Sequence, residues 1–408
     1  MTTIVKAAGA AEFLSLVPRM LGFAPSRSLV MIPFAGSRSL GAMRFDLPEG
    51  EPDAVDRVAA TVIGMVCRLP EADAVAAIVY TPSTFAEEST MPHADLFRAL
   101  ERRADACGLR TTDALCVAAD GWGSFLDAGC PAEGRRLADL EVAPPGDLPL
   151  VPEGDQSSGA ELPDLDLAVL ERVGRALRGF QRAVAVLCGT DSPAPSVGWG
   201  SDAAPAPARS ISADAADTSD DAGGAASVPE DPDRIDPSAL AAVCALDDLP
   251  ALFEDALEWD LDRVAALDVA TLVWCLSRPS LRDVALVQWS GTLAAGDEAF
   301  DAQLRWEAGE EYPTHLAMQL WGEGDRPDPA RLDRALLLVR HIAAATRAAP
   351  RPGALAMCAW LSWALGRSTH AEIYALEACS IEPEHGLSEI VRSFVHAGHL
   401  PDWAFRPR

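Results

Sequence analysis

The chain has 408 residues, a length typical of two or three domains, and a formal net charge of −28 from 61 acidic and 33 basic residues. A surface this acidic repels nucleic-acid phosphates and anionic lipid headgroups, so the composition argues against nucleic-acid and membrane-surface partners. Lys6 is the only lysine, which leaves one ammonium group for Schiff-base or phosphate-binding lysine chemistry.

Nine cysteines are scattered along the chain, most of them in apolar runs and no two spaced as C-x-x-C. This pattern predicts buried free thiols, no disulfide framework and a reducing compartment. The first residues lack the pattern of a secretory signal peptide, and no run of about 18 apolar residues occurs. We therefore expect a cytoplasmic protein without a transmembrane helix.

The first 190 residues alternate between helix and strand patterns. Apolar periodicity predicts helices over residues 11–22, 53–68 and 93–107, and β-forming runs predict strands over 28–34, 40–47, 74–81 and 110–119. The second strand returns as a hairpin, whereas the later strands are separated by helices. The pattern predicts an α/β domain over 1–190 with a mixed sheet and βαβ units. A long helix over 165–187 is expected to pack back on this sheet.

Residues 191–236 consist almost entirely of Asp, Ala, Ser, Pro and Gly. Such a segment cannot bury enough apolar surface to form a core, so it is predicted to be a disordered acidic linker.

From residue 237 to 408 the pattern is helical throughout, with turn signals at regular intervals. Tryptophans recur every 15 to 17 residues at Trp259, Trp274, Trp289, Trp306 and Trp321. Two interpretations remain open: an array of helical hairpins, or independent core tryptophans in separate helices. Residues 355–383 resemble one tetratricopeptide-type helix pair, with a turn at Gly366 and a closing Pro383. We therefore predict an all-α, tetratricopeptide-like helical domain.

Several separated segments together resemble the actinobacterial family called domain of unknown function 4192. The matching blocks lie in the same order as in that family, over residues 16–30, 41–48, 113–117, 121–125, 130–134, 281–286 and 360–383. The resemblance covers most of the chain outside the linker. It implies a fold and a family name, and it transfers no catalytic residues.

The family pattern also places a cysteine and then a cysteine pair after the Trp-Gly-Ser block, where this chain has Asp127 and Gly129-Cys130. One thiol cannot form a structural zinc site, so a metal or redox role for that block is in doubt in this chain.

Several common catalytic motifs are missing from the sequence: a Walker A loop, G-x-G-x-x-G after a strand, G-x-S-x-G and H-E-x-x-H. His396 and His399 could share a metal with the nearby His385 and Glu389, but Gly398 and Pro401 mark a helix end, where histidine also favours the helix dipole. We expect neither a bound metal nor a cofactor, and the sequence does not decide whether the protein is an enzyme.

In open α/β sheets, ligands bind at the carboxyl ends of the strands. The polar and aromatic residues near the predicted strand ends therefore form the candidate ligand pocket: Arg27, Arg44, Asp120, Trp122 and Ser124. An alternative is that Arg44 and Asp120 only pair with or cap neighbouring groups.

Two hypotheses of function follow. The first is a non-enzymatic interaction or regulatory module that binds a protein partner through its helical domain. The second is a small-molecule sensor or an enzyme that uses a cleft at the strand ends of the α/β domain.

Overall fold

The computed structural model describes residues 7, 9–48, 52–87, 91–141, 151, 153–189, 236–347 and 349–406. The chain divides into two compact units, Met1–Glu161 with Ala397–Arg408, and Leu162–His396. The first unit is α/β with a mixed sheet and the second is all-helical, which confirms the predicted fold class. The units divide the chain at different residues from the predicted domains. Residues 191–235 of the predicted linker lie outside the described residues.

The sheet of the first unit has six strands: β1 (Ser28–Ala35), β2 (Arg38–Ser39), β3 (Met43–Asp46), β4 (Ala74–Tyr80), β5 (Arg110–Val117) and β6 (Trp122–Ser124). Its order is β2-β1-β4-β5-β6, with β3 also pairing with β1. The β4–β5 pair is parallel and all the other pairs are antiparallel. The sheet is therefore mixed, as the sequence predicts.

Two details of the sheet differ from the sequence prediction. The returning strand predicted over 40–47 is shorter, Met43–Asp46, and a separate two-residue strand, β2, precedes it; between the two the chain passes through Gly41 with φ of 140°, a conformation that favours glycine. The strand β6 is absent from the predicted strands, since its three residues are too few to show a period-2 pattern.

Three helices cover the sheet: α1 (Ala10–Leu21), α2 (Pro52–Cys67) and α3 (Ala94–Ala106). Alternate residues of β1 point to opposite faces, so Leu29 and Met31 pack with α2 and α3, whereas Val30 and Ile32 pack with α1. All seven residues of β4 are buried. Burying a Val or Ile side chain contributes roughly 1.5–3 kcal/mol, so this central strand is a major source of stability.

The second unit contains eleven α-helices among its described residues: α4 (Leu167–Cys188), α5 (Pro237–Cys244), α6 (Leu249–Ala256), α7 (Ala266–Leu276), α8 (Pro279–Ser290), α9 (Leu293–Glu307), α10 (Thr314–Leu320), α11 (Pro329–Ala345), α12 (Arg351–Ala364), α13 (Ser368–Ile381) and α14 (Gly386–His396). Several of these helices begin at an aspartate whose carboxylate accepts a hydrogen bond from a first-turn N–H, at Asp166, Asp236, Asp248 and Asp328. Across the described residues, we find no helix with the length and apolar character to cross a membrane.

The long helix α4 was expected to pack on the sheet. It packs instead with α5 and α7 inside the helical unit, where the rings of Phe180 and Trp274 meet edge to face at 5.6 Å. An amphipathic pattern shows that one face of a helix is buried, but it does not show which partner covers that face.

The helix pair predicted over 355–383 is present as α12 and α13, joined by a turn at Gly366 with φ of 79°. Every residue from Pro352 to Ala364 is buried, and α11, α13 and α14 all pack against α12. This helix is therefore the centre of a closed bundle.

The regularly spaced tryptophans occupy unlike environments. Trp289 is fully buried and its Nε1 donates to the Phe253 carbonyl at 3.0 Å, whereas Trp306 and Trp321 are 40% and 49% exposed. Equivalent positions of a repeat would be packed alike. The structure therefore favours the interpretation as independent tryptophans in separate helices.

Candidate functional site

A row of paired residues runs from strand to strand across the sheet, at the end of the sheet where β4 and β5 finish. The strand register pairs Asp46 with Ser28, Ser28 with Tyr80, Tyr80 with Val117, and Val117 with Trp122. The polar side chains of this end therefore lie near the carboxyl ends of the parallel pair, where open α/β sheets bind ligands. The Tyr80 hydroxyl is buried and finds no hydrogen-bond partner among the described residues, and burial raises its pKa.

The two candidate arginines lie at the β1–β3 side of this end of the sheet. Arg44 on β3 is mostly buried, and its Nε donates to Ser28 Oγ at 2.8 Å while its Nη2 pairs with Asp46. Arg27 is exposed, with φ of 46°, and its carbonyl accepts from the Leu47 amide at 3.2 Å. These contacts close the hairpin, through the side chain of Arg44 and the backbone of Arg27.

Asp120 holds the loop that follows β4. Its two carboxylate oxygens accept from the amides of Phe85 and Ala86 at 2.9 and 3.2 Å. A carboxylate that satisfies two backbone N–H groups stabilises a turn.

Trp122 and Ser124 lie on β6, at the opposite edge of the sheet from Arg44 on β3. With neighbouring strands about 4.8 Å apart, β3 and β6 are roughly 19 Å apart across β1, β4 and β5. The structure thus brings Trp122 and Ser124 together but does not place all five candidate residues in one pocket.

Trp122 is fixed by its own backbone and by Arg135. The two residues exchange backbone hydrogen bonds of 2.9 and 2.7 Å, and the indole Nε1 donates to the Arg136 carbonyl at 3.1 Å. The Arg135 guanidinium lies over the indole ring, with Cζ 5.0 Å from the ring centroid. The indole therefore forms a rigid, buried wall.

Beside this wall lies an open cleft with a volume of about 740 Å³. It is bounded by the first turn of α1, by β5 and β6, and by the segment that follows β6, with these lining residues: Gly9, Ala10, Ala11, Glu12, Asp113, Trp122, Ser124, Asp127, Arg135 and Asp139. Four of the ten side chains are carboxylic acids and one is a guanidinium, so the cleft favours positive charge.

Asp113 differs from the other acids of the cleft. It sits within β5, about half-buried, and desolvation raises its pKa above the ordinary value. The described residues offer its carboxylate neither a hydrogen bond nor an ion pair. A cation bound beside such a carboxylate would stabilise its charged form, because it would replace the interactions with water that burial removes.

Asp127 and Arg135 neutralise each other at the cleft rim. Arg135 Nη2 pairs with Asp127, and the Gly129 amide donates to the same carboxylate at 2.8 Å. The hydrogen bond from Arg135 is the main cause of the lowered pKa of Asp127, and the Gly129 amide adds to it. The guanidinium is thus engaged, and Asp113 keeps a negative charge in the cleft that no described residue neutralises.

Asp113 and Arg135 are not among the site residues predicted from the sequence. A charged side chain at a core-facing position of a predicted strand was the available signal for Asp113. No comparable signal marks Arg135, because its place over Trp122 depends on the return of the chain after β6.

Across the part of the chain that the structure describes, no group of three or more His, Cys, Asp or Glu side chains could hold a metal ion. His396 Nε2 lies 3.2 Å from Glu372 Oε1. His385 Nδ1 lies 3.0 Å from Ser388 Oγ, and burial, assisted by the charge of Arg282, lowers its pKa to about 4.

The cysteines are less buried than their apolar surroundings suggest. Cys116, Cys275 and Cys358 are buried, as predicted, and Cys130 and Cys379 are partly exposed. The other four are exposed: Cys67, Cys107, Cys188 and Cys244. Each of these four stands at the end of a helix, where an apolar neighbour in sequence need not be a neighbour in space.

Comparison with known proteins gives a family but no relative of known activity. The profile of the family described as Domain of unknown function (DUF4192) matches residues 11–151. Neither the curated proteins nor the solved structures gave a match. The matched stretch contains β1 to β6 and nearly all of the cleft, whereas the C-terminal blocks of the sequence resemblance lie outside it. Residues 11–151 of this chain are therefore identified as a DUF4192 domain.

Proposed function

We propose that this protein is a binding module whose α/β unit holds a small organic cation in the cleft beside β6. The observation that carries the proposal is the half-buried Asp113 carboxylate, which faces the cleft without a partner among the described residues. An ammonium or guanidinium group placed there would form a charge-assisted hydrogen bond in a partly desolvated site.

The other walls of the cleft support a ligand of this kind. Glu12 and Asp139 add negative charge at its rim, Ser124 offers a hydroxyl, and Trp122 presents a rigid aromatic side. Arg135 is engaged by Asp127, so it does not cancel the charge of Asp113. Pockets that bind small molecules combine a fixed apolar surface with a few convergent polar groups.

Calorimetric titration of the full chain with agmatine and with putrescine tests the proposal. We expect binding of at least one of these probes, with the affinity reduced about tenfold or more in Asp113→Asn, which corresponds to about 1.4 kcal/mol. Asp95→Asn is the matched control, because Asp95 is an exposed acid on α3, away from the cleft. Equal affinities for both variants and the unchanged protein would contradict the proposal, provided that circular dichroism shows both variants folded.

A protein partner of the helical unit is the second candidate function. Trp321 is half-exposed and packs edge to face on Phe394, with ring centroids 5.2 Å apart, and Phe394 in turn packs on Trp363. Partly exposed tryptophans anchored on a rigid aromatic cluster are frequent in the energetic centres of protein interfaces. Native mass spectrometry of the gently purified chain should then show a partner mass that is lost in Trp321→Ala and retained in Trp259→Ala.

We further propose that the protein works in the cytoplasm as a regulatory rather than a catalytic component. The nine free cysteines fit a reducing compartment, and the carboxylates Asp120 and Asp127 are already committed to backbone N–H groups and to Arg135. Fractionation of cells that produce the tagged chain, with cytoplasmic and secreted marker proteins, tests the location.

A further inference from the structure

The ends of α2 and α3 lie side by side. Each helix leads through a short turn into a strand, α2 into β4 and α3 into β5, and these two strands are adjacent and parallel. The strand starts are joined by a backbone hydrogen bond from Arg110 to Asp73 of 3.1 Å and by the ion pair of their side chains. The carboxyl ends of the two helices therefore meet at the same edge of the sheet, and the helices pack against each other.

A cysteine stands at each of these two helix ends. Cys67 is the last residue of α2 and Cys107 is the residue that caps α3. Both are exposed, and the two thiols influence each other's protonation. Burial is the main cause of the raised pKa of Cys67, and the side chain of Cys107 adds to it.

We propose that Cys67 and Cys107 form an oxidative modification site, at which a hydroperoxide-class oxidant joins the two thiols in a disulfide between α2 and α3. Two observations carry this inference: the convergence of the helix ends at the start of β4 and β5, and the exposed cysteine that stands at each of these two ends. It is independent of the cleft and of its ligand.

The chemistry balances with one equivalent of hydroperoxide. One cysteine, as its thiolate, attacks the terminal peroxide oxygen, and the O–O bond breaks to release water from hydrogen peroxide or an alcohol from an organic peroxide. The resulting sulfenic acid is attacked at sulfur by the second thiolate, which forms the S–S bond and releases water. The two thiols lose two electrons and two protons, and the peroxide gains them.

The covalent bond would impose a defined local geometry on the two cysteines. A disulfide has an S–S length of about 2.05 Å and joins Cα atoms that are usually about 4.4–6.8 Å apart. Both cysteines lie at helix ends, where the last turn frays most readily, so their side chains can rotate without disturbing the core. Cytosolic disulfides are usually transient and redox-sensing, which suits an exposed and reducible pair.

Peptide mapping of the full chain gives a direct test. The reduced protein is treated with hydrogen peroxide, the remaining thiols are alkylated with iodoacetamide, and the digest is analysed without reduction. We expect a linked peptide pair containing Cys67 and Cys107, lighter than the sum of the two free peptides by two hydrogen atoms and absent after reduction. Cys67→Ser and Cys107→Ser should each abolish it, whereas the double variant Cys188→Ser/Cys244→Ser should retain it.

A second probe reports the distance between the thiols without oxidation. Phenylarsine oxide binds two thiols at once, so the reduced protein should take up one equivalent that is lost in either single variant. Recovery of Cys67 and Cys107 as two separate modified peptides after peroxide, whether alkylated or overoxidised, would overturn the proposal. So would an arsenical stoichiometry that neither single variant changes.

Discussion

The Arg68 guanidinium lies over the ring of Phe405, with Cζ 3.9 Å from the ring centroid. Its Nη2 also donates to Asp402 Oδ1 at 2.6 Å. Arg68 follows the last residue of α2, whereas Asp402 and Phe405 belong to the C-terminal segment that completes the α/β unit. Trp403 and Phe405 are buried, so this segment is an integral part of the unit.

Replacing Arg68 with Ala should loosen the C-terminal segment. The cation–π contact and a half-exposed ion pair together contribute about 1 kcal/mol, so we expect faster amide exchange over residues 401–406 with little effect elsewhere. Hydrogen exchange followed by mass spectrometry measures this. Arg102→Ala, which removes an exposed ion pair with Asp56 in the same unit, should leave that segment unchanged. Equal exchange in the two variants would argue against a specific role for Arg68.

Gly353 is required by the close approach of α12 to α7. A Cβ added there would lie 2.2 Å from the Leu276 carbonyl oxygen, which is a backbone atom and cannot move aside alone. We expect Gly353→Ala to lower the free energy of unfolding by about 2–3 kcal/mol, measured by urea denaturation. Gly179 in α4 has open space around the same position, so Gly179→Ala should stabilise by about 0.5–1 kcal/mol. A stable Gly353→Ala protein would show that the two helices can separate at low cost.

The helical unit contains a polar network that joins α6, α8 and α11. Arg331 donates two parallel hydrogen bonds of 2.6 Å to Glu254, and Gln288 Nε2 donates to the same carboxylate at 2.9 Å. The Arg331 side chain is only 13% exposed. Glu254→Ala leaves this guanidinium without its carboxylate, so we expect a loss of about 2–3 kcal/mol.

Chemical denaturation checks that loss, with Glu258→Ala as the control. Glu258 is 3.8 Å from Arg334, and both side chains of that pair are largely exposed, so its removal should cost under about 1 kcal/mol. Similar losses in both variants would mean that burial of Arg331 does not determine the strength of the pair.

The ion pair between Arg331 and Glu254 also predicts that the stability of the fold depends on pH. The hydrogen bonds from Arg331 hold the pKa of Glu254 below its ordinary value of 4.5, although partial burial opposes them. A carboxylate whose pKa is lower in the folded state stabilises the fold above the unfolded pKa, and this stability disappears as the pH falls through the folded pKa. The stability difference between the unchanged protein and Glu254→Gln should therefore shrink below about pH 4.5. A constant difference from pH 7 to pH 3 would contradict this assignment.

Much of the candidate site could not be predicted from the sequence, for a physical reason. Trp122 and Ser124 were identified because they follow a strand, and they do line the cleft. Asp113 and Arg135 are 22 residues apart, and they face the same space because the β5–β6 register and the pairing of Arg135 with Trp122 fold the chain back. Arg44 and Asp120 share the edge of the sheet with them, but their contacts close a hairpin and a loop.

By itself, the sequence determined the fold class, the order of helices and strands, and the DUF4192 resemblance of the first unit, because apolar periodicity and turn residues act over a few neighbours. The tertiary structure alone decided where α4 packs, that α12 is the buried centre of a bundle, and that Cys67 and Cys107 stand at neighbouring helix ends. These outcomes depend on which apolar surfaces pack against each other and so exclude water. That choice is made between segments far apart in the chain, so no local pattern records it.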